Sequence, residues 1–214
     1  MRLLERIRAS RDRGFTMAEL LVTIMLLSIV SAMVVGTVTL VGRNVVRDQS
    51  KADSLDIARV GMNRMSKAVR AGTEVPVSST SNLPAFAEIG PETLTVYASL
   101  GTAPTKTKYS VNAQRELIET KWSADTSNAP YYTFATTPVV TEIASQIPAG
   151  ASLFKFRDAN GALVSPQTTT DTTVLSQVRS VEIDLKVNSN PAQGVPPVSL
   201  NSTVVLPNLG VVKR

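Results

Sequence analysis

The chain has 214 residues, 43% of them apolar and 18% charged, with no Cys and no His. The missing Cys excludes disulfide staples and thiolate chemistry, and the missing His removes the commonest general base and metal ligand. The formal charge of +5 is partly local: five of the 22 basic residues and two of the 17 acidic ones lie in residues 1–14, leaving 17 against 15 and no broad electrostatic footprint for nucleic acid.

The leader, residues 1–14, holds Arg2, Arg6, Arg8, Arg11 and Arg13 and closes on Gly14. Phe15 then opens a stretch of 28 residues, 15–42, whose only charge is Glu19. Leu20–Gly42 carries no charge at all, and 16 of its 23 residues are apolar. As a helix it spans roughly 34 Å at about 1.5 Å per residue, enough for a bilayer core of about 30 Å. Arg43 and Arg47 end the run. A cleaved secretory signal has a shorter apolar core and a small-x-small cut site, and a Glu at its front edge is foreign to it. A plain signal anchor accounts for the length and the flanking Arg residues but leaves the Gly14-Phe15 junction and Glu19 unexplained. Ser28, Ala32 and Gly36 recur every fourth residue, a spacing that lets helices approach closely.

The basic leader, the Gly14-Phe15 junction, Glu19 five residues past Gly14 and the long apolar run together resemble a type IV prepilin signal. The resemblance implies a pilin or pseudopilin, a structural subunit of a helical filament and not an enzyme, with no catalytic residue, cofactor or metal. Gly14 then matches the last leader residue, after which prepilin peptidase cuts. Phe15 matches the new N-terminal residue, whose amine is methylated. Glu19 matches the carboxylate that attracts the N-terminal amine of a neighbouring subunit during assembly. A lone carboxylate in hydrocarbon costs up to about 2.5–3.5 kcal/mol near mid-membrane, so an ammonium partner relieves a real penalty. The implied partners are prepilin peptidase, other pilin or pseudopilin subunits through the N-terminal helix, and the membrane, with nucleic acid disfavoured. The implied location is the bacterial cell membrane, single-pass with the globular domain outside the cytoplasm, and then a pilus or pseudopilus. Many major pilins carry a Pro at the position of Gly36, and many close a C-terminal disulfide; this chain has neither.

Beyond the span, Leu55, Ala58, Met62, Met65 and Val69 are spaced 3, 4, 3 and 4, one apolar stripe on a helix. Ala71-Gly72 and then Pro76 stop it, so one helix is predicted over residues 16–71. The stripe packs on a sheet of the same chain or, alternatively, on a neighbouring subunit. The expected organisation is a leader at 1–14, a transmembrane or filament-core helix at 15–42, an amphipathic stalk at 43–75 and a β-rich domain at 76–214. The fold class is α+β, a long helix packed on an antiparallel sheet.

Residues 76–91 read as loop. Thr93–Ala98 reads as a strand, and Thr107–Val111 and Arg115–Trp122 as a pair around an Asn112-Ala113-Gln114 turn. Tyr131–Ile143 reads as one irregular strand interrupted near Pro138. Ser152–Arg157 alternates, and Asp158-Ala159-Asn160-Gly161 is a turn leading to Ala162–Val164. Thr168–Thr173 is a polar loop. Val178–Val187 alternates over ten residues, and Val198–Leu206 is its antiparallel partner. The run from Phe154 through Asp158 to Gly161, the following strand and the close near Pro207 resemble the PilW-type minor pilins and J-type pseudopilins, with Phe156 where Tyr is common and Pro207 where Arg is common. Asp158-Ala159-Asn160-Gly161 also echoes the start of a calcium loop, but the later acidic ligands are missing. Trp122, Tyr131, Tyr132 and Phe134 are half-buried sheet residues or, in the second reading, a partner surface. The alternative function is a pilin-like binding module for DNA uptake or surface adhesion.

Overall fold

The computed structural model describes residues 15–150, 152–191 and 194–207. The leader, Gly14 and the chain beyond Pro207 lie outside the described residues. One helix, α1, runs unbroken from Met17 to Arg70, close to the predicted 16–71. Gly36 sits inside it without interrupting it. The chain divides into two compact units between Val46 and Arg47.

In the first unit every apolar side chain from Leu20 to Val41 is exposed. Four hydroxyls on this segment are returned to the backbone one turn earlier: Thr23 donates to the Leu20 carbonyl, Ser28 to Met25, Thr37 to Met33 and Thr39 to Val35. Satisfying polar groups within the segment is what hydrocarbon demands of a spanning helix. The segment is long and apolar enough to cross a membrane.

The second unit is an α+β domain in which the last five turns of α1 lie on antiparallel sheets. The strands are β1 (Val75–Pro76), β2 (Asn82–Leu83), β3 (Phe86–Gly90), β4 (Thr93–Ala98), β5 (Thr105–Val111), β6 (Leu117–Asp125), β7 (Thr133–Phe134), β8 (Val139–Ala144), β9 (Phe154–Arg157), β10 (Ser180–Val187) and β11 (Val198–Val205); a one-turn helix, α2 (Thr172–Leu175), precedes β10. The larger sheet has the order β3-β4-β5-β6, with β7 and β8 both pairing on β6. The smaller sheet has the order β11-β10-β9, and β1 and β2 form a separate ladder.

The stripe on α1 does meet these sheets. Ala58, Met65 and Val69 are fully buried, whereas Leu55 and Met62 lie at its border. The stripe is continued by small residues that hydropathy alone passes over: Ser50, Ser54 and Gly61 are buried too. Gly61 allows the closest approach, since a Cβ there would meet Ile143 Cγ2 at 3.0 Å and Leu185 Cδ2 at 3.2 Å. Ser54 Oγ accepts from the Ser189 N–H at 3.0 Å, and the Ser189 hydroxyl donates to the Ser50 carbonyl at 2.9 Å, tying α1 to the end of β10.

A buried polar cluster fixes α1 against the larger sheet. Glu119 on β6, 7% exposed, accepts from Arg64 Nη1 at 3.2 Å and from the Tyr109 hydroxyl at 2.8 Å. Burial, and then the Glu119 charge, push the Tyr109 phenol far above its ordinary range, so it remains a donor. A buried carboxylate is costly to strand, and here Arg64 from α1 and Tyr109 from β5 both meet Glu119 on β6.

The two sheets meet at β3 and β9. The Leu153 and Phe154 N–H groups donate to the Pro91 carbonyl, and Ile89 bridges Thr169. Phe86, Phe154 and Phe156 stack across the seam, with Phe156 at 6.4 Å from Phe86 in a T-shaped arrangement and 6.3 Å from Phe154.

β4, β10 and β11 lie where the sequence puts them, and β10 pairs β11 over its whole length, from Ser180↔Val205 to Val187↔Val198. Four segments depart from the expectation. The stretch 76–91 contains the end of β1 and all of β2 and β3; β3 hides its alternation because its register shifts between Phe86 and Glu88. Tyr131–Ile143 is not one strand but β7 and β8, each pairing separately with β6. Thr168–Thr173 is not all loop: Asp171 Oδ1 accepts from the Thr173 N–H and caps α2, whose Leu175 is buried. The β5–β6 turn runs from Asn112 to Glu116, two residues longer than read. Arg115 takes φ of 62° there, and its guanidinium holds that conformation through a two-oxygen pair with Glu92 and bonds to the Ile147 and Pro148 carbonyls.

On the outer face of the smaller sheet, Glu182 takes Lys155 Nζ at 3.3 Å and Arg157 Nη2 at 3.1 Å. The Arg157 and Lys155 hydrogen bonds hold its carboxyl below the ordinary value of 4.5. A lowered carboxylate stabilises the folded state above its unfolded pKa, and that stability is lost as pH falls through the folded value. Glu182→Gln is therefore expected to lower stability at neutral pH by about 1 kcal/mol or less and to converge on the wild type as pH falls below about 4.5, which flattens the acid limb of a thermal-stability profile.

Candidate functional site

Glu19, Phe15 and the start of α1 form the site the sequence singles out. Phe15 is 73% exposed and precedes the helix. Thr16 is the residue before α1, and its carbonyl accepts the first bond of the helical ladder, from the Leu20 N–H at 3.1 Å. The Thr16 hydroxyl accepts from the Glu19 N–H at 3.2 Å. In return Glu19 Oε2 accepts from the Thr16 N–H at 3.1 Å and from the Thr16 hydroxyl at 3.0 Å. This is a reciprocal capping box, in which the residue before the helix and the third helical residue satisfy each other's orphan donors.

The physical consequence is a carboxylate that is preorganised but not used up. Both Thr16 donors go to one oxygen, Oε2; among the described residues, Oε1 accepts nothing. The helix N-terminus carries partial positive charge, so it favours an anion in its first turn by about 0.3–1 kcal/mol. The free oxygen stands at the head of an exposed apolar helix, where water is absent if the segment lies in a membrane. There it has one strong requirement, a cationic donor.

The structure thus brings Glu19 together with Thr16, a residue that the sequence reading passed over. The signal was available: Thr16-Met17-Ala18-Glu19 is the T-x-x-E pattern that precedes an apolar helical run. Gly14 lies outside the described residues. Along the helix, a Cβ at Gly36 would meet nothing within 4 Å, and Ser28 directs its hydroxyl inward to its own backbone. The small face is therefore free of internal contacts.

The downstream candidates all lie in the second unit. Asp158 Oδ1 accepts from the Asn160 and Ala162 N–H groups, and Gly161 takes φ of 79°, which makes the segment a tight hairpin turn. Phe134 packs on Tyr97 at 5.1 Å, and Lys106 lies over the Trp122 ring at 5.0 Å. Trp122, Tyr132 and Phe134 are half-buried, and Tyr131 is 38% exposed. Among the described residues no group of three or more acidic side chains gathers where it could hold a metal ion.

Residues 9–35 match the family model described as the prokaryotic N-terminal methylation motif. The match spans the end of the leader, the Gly14-Phe15 junction, the capping box and the front of the apolar helix, and leaves the sheet domain unmatched. No curated protein matches the chain. The chain carries a prepilin-type signal joined to an apolar helix of spanning length. Such a signal implies processing by a peptidase, anchoring in the membrane and assembly with other pilin-like subunits.

Proposed function

We propose that the chain is a minor type IV pilin or pseudopilin, cut between Gly14 and Phe15 by prepilin peptidase, methylated on Phe15 and assembled through α1 into a pilus or secretion pseudopilus. The observation that carries this reading is the joint presence of the methylation motif and the half-satisfied Glu19 carboxylate at the head of an exposed apolar helix. Assembly buries that helix among its counterparts from other subunits, and the free Glu19 oxygen takes the amine of a neighbouring Phe15. The β-rich domain then remains outside the cytoplasm. The aromatic hairpin built by Phe154, Phe156, Asp158 and Gly161 supports placement among the PilW-like or J-type subunits. The small net charge of the chain past Gly14 speaks against a DNA-capturing module.

N-terminal sequencing of the protein recovered from cells that express the cognate peptidase tests the reading. The expected result is a start at N-methylphenylalanine 15. Gly14→Val is expected to leave an uncut precursor. A wild-type start at Met1, or at any residue other than Phe15, would remove the basis for subunit assembly by this route.

A further inference from the structure

β11 is the end strand of its sheet: it pairs with β10 along one side and, among the described residues, with nothing along the other. Such an edge normally carries a device against unwanted pairing, such as a Lys, a Pro or a bulge. β11 has none of these. Val198–Val205 contains no charge and no Pro, and its register with β10 runs without a shift. Prolines flank it, Pro197 directly before the strand and Pro207 one residue past Leu206, so the open edge is confined to this short stretch. Beside it, between Leu200 and the flank of α1, lies a cleft of about 530 Å³. Met62, Leu100 and Leu200 supply its apolar surface, Arg59, Lys67 and Arg70 its charge, and none of its lining residues is acidic. Arg59 makes only an exposed pair with Asp56 at 3.6 Å, and Lys67 and Arg70 make no ion pair among the described residues.

We propose that this cleft is a docking groove for an extended, acidic segment of a partner protein, which adds as a strand to the outer edge of β11 while its carboxylates meet Lys67, Arg70 and Arg59. Main-chain pairing supplies affinity, the apolar surface takes alternate side chains, and the basic rim selects for acidic neighbours. Charge sets the choice of occupant: Lys67 and Arg70 have no ion-pair partner among the described residues and Arg59 has only the exposed Asp56, so the rim attracts an anionic strand and repels a basic one. The groove lies wholly in the second unit, between α1 and β11, so it does not rest on cleavage after Gly14.

The test uses the full chain in neutral detergent micelles and a short fluorescein-labelled peptide alternating Val with Glu, followed by fluorescence polarisation. Saturable binding is expected. The same peptide with Lys in place of Glu, and an acidic peptide N-methylated at alternate amides, should each bind on the order of tenfold more weakly, about 1.4 kcal/mol. The double variant Lys67→Glu and Arg70→Glu should weaken the acidic peptide similarly and strengthen the Lys peptide, while Lys67→Arg with wild-type Arg70 should leave binding intact. The gain for the Lys peptide distinguishes a charge effect from a misfolded variant. Absence of saturable binding, equal binding of the N-methylated peptide, or indifference to the charge reversal would overturn the proposal. So would self-association of the chain that the acidic peptide competes away, which would assign the groove to a second copy.

Discussion

Phe156→Ala is expected to destabilise the sheet domain by about 3–5 kcal/mol, the range for truncating a fully buried aromatic ring. Phe156 is 0% exposed and stands in the seam where the two sheets meet, edge-on to Phe86 and beside Phe154. Its backbone is fully engaged as well: the Gln167 carboxamide accepts from the Phe156 N–H and donates to its carbonyl, and the Val164 N–H donates to the same carbonyl. The surroundings are thereby held in place and cannot collapse readily into the space left by the ring, so the cost should fall in the upper part of the range. In a domain of this size about 1 kcal/mol shifts Tm by roughly 2–4 °C, so a drop on the order of 10 °C is expected in a near-UV circular dichroism melt. Val205→Ala, at a 63% exposed position on β11, serves as the comparison and should stay within about 0.5 kcal/mol. A loss at Phe156 of less than about 1 kcal/mol would mean that the seam is not a single core.

What the sequence disclosed and what it concealed follow from the same physics. Strong alternation over a long stretch is legible because one face must be buried, and β10, with every second residue buried from Val181 to Val187, was read almost to the residue. β3 was not, since a register shift within five residues breaks the period on which the reading depends. α2 is a single turn, too short to show any helical period, and only the Asp171 cap announces it. The contact face of α1 was half legible. Its large residues gave the stripe, but Ser50, Ser54 and Gly61 are buried because they are small, and smallness carries no hydrophobic signature. At the helix start the roles of Gly14, Phe15 and Glu19 came from a resemblance, whereas the Thr16 partner of Glu19 came from capping geometry that the sequence contains but that apolar periodicity does not report.

That geometry separates two roles of Glu19, and three variants are expected to tell them apart. Glu19→Ala removes both the cap and the charge. Thr16→Val removes the hydroxyl that accepts from the Glu19 N–H, at a local cost of about 0.5–2 kcal/mol confined to the first turn. Glu19→Gln keeps a side-chain oxygen able to accept from the Thr16 N–H, as Gln does in capping boxes, but carries no charge. If the free oxygen of Glu19 takes a neighbour's ammonium group in hydrocarbon, the lost interaction is a charge pair in a medium that does not screen it. Each 1.4 kcal/mol is then a factor of ten in the equilibrium between membrane and filament. Glu19→Gln should therefore fall out of sheared filaments as severely as Glu19→Ala, on the order of tenfold or more below wild type, while Thr16→Val is incorporated nearly normally. Peptidase processing should be unimpaired in all three, as read by N-terminal sequencing, so that the defect lies in assembly. Wild-type recovery of Glu19→Gln together with loss of Thr16→Val would reverse the assignment. Glu19 would then act by starting the helix and not by pairing with a neighbour, because a residue whose only task is to cap α1 has no need of a charge.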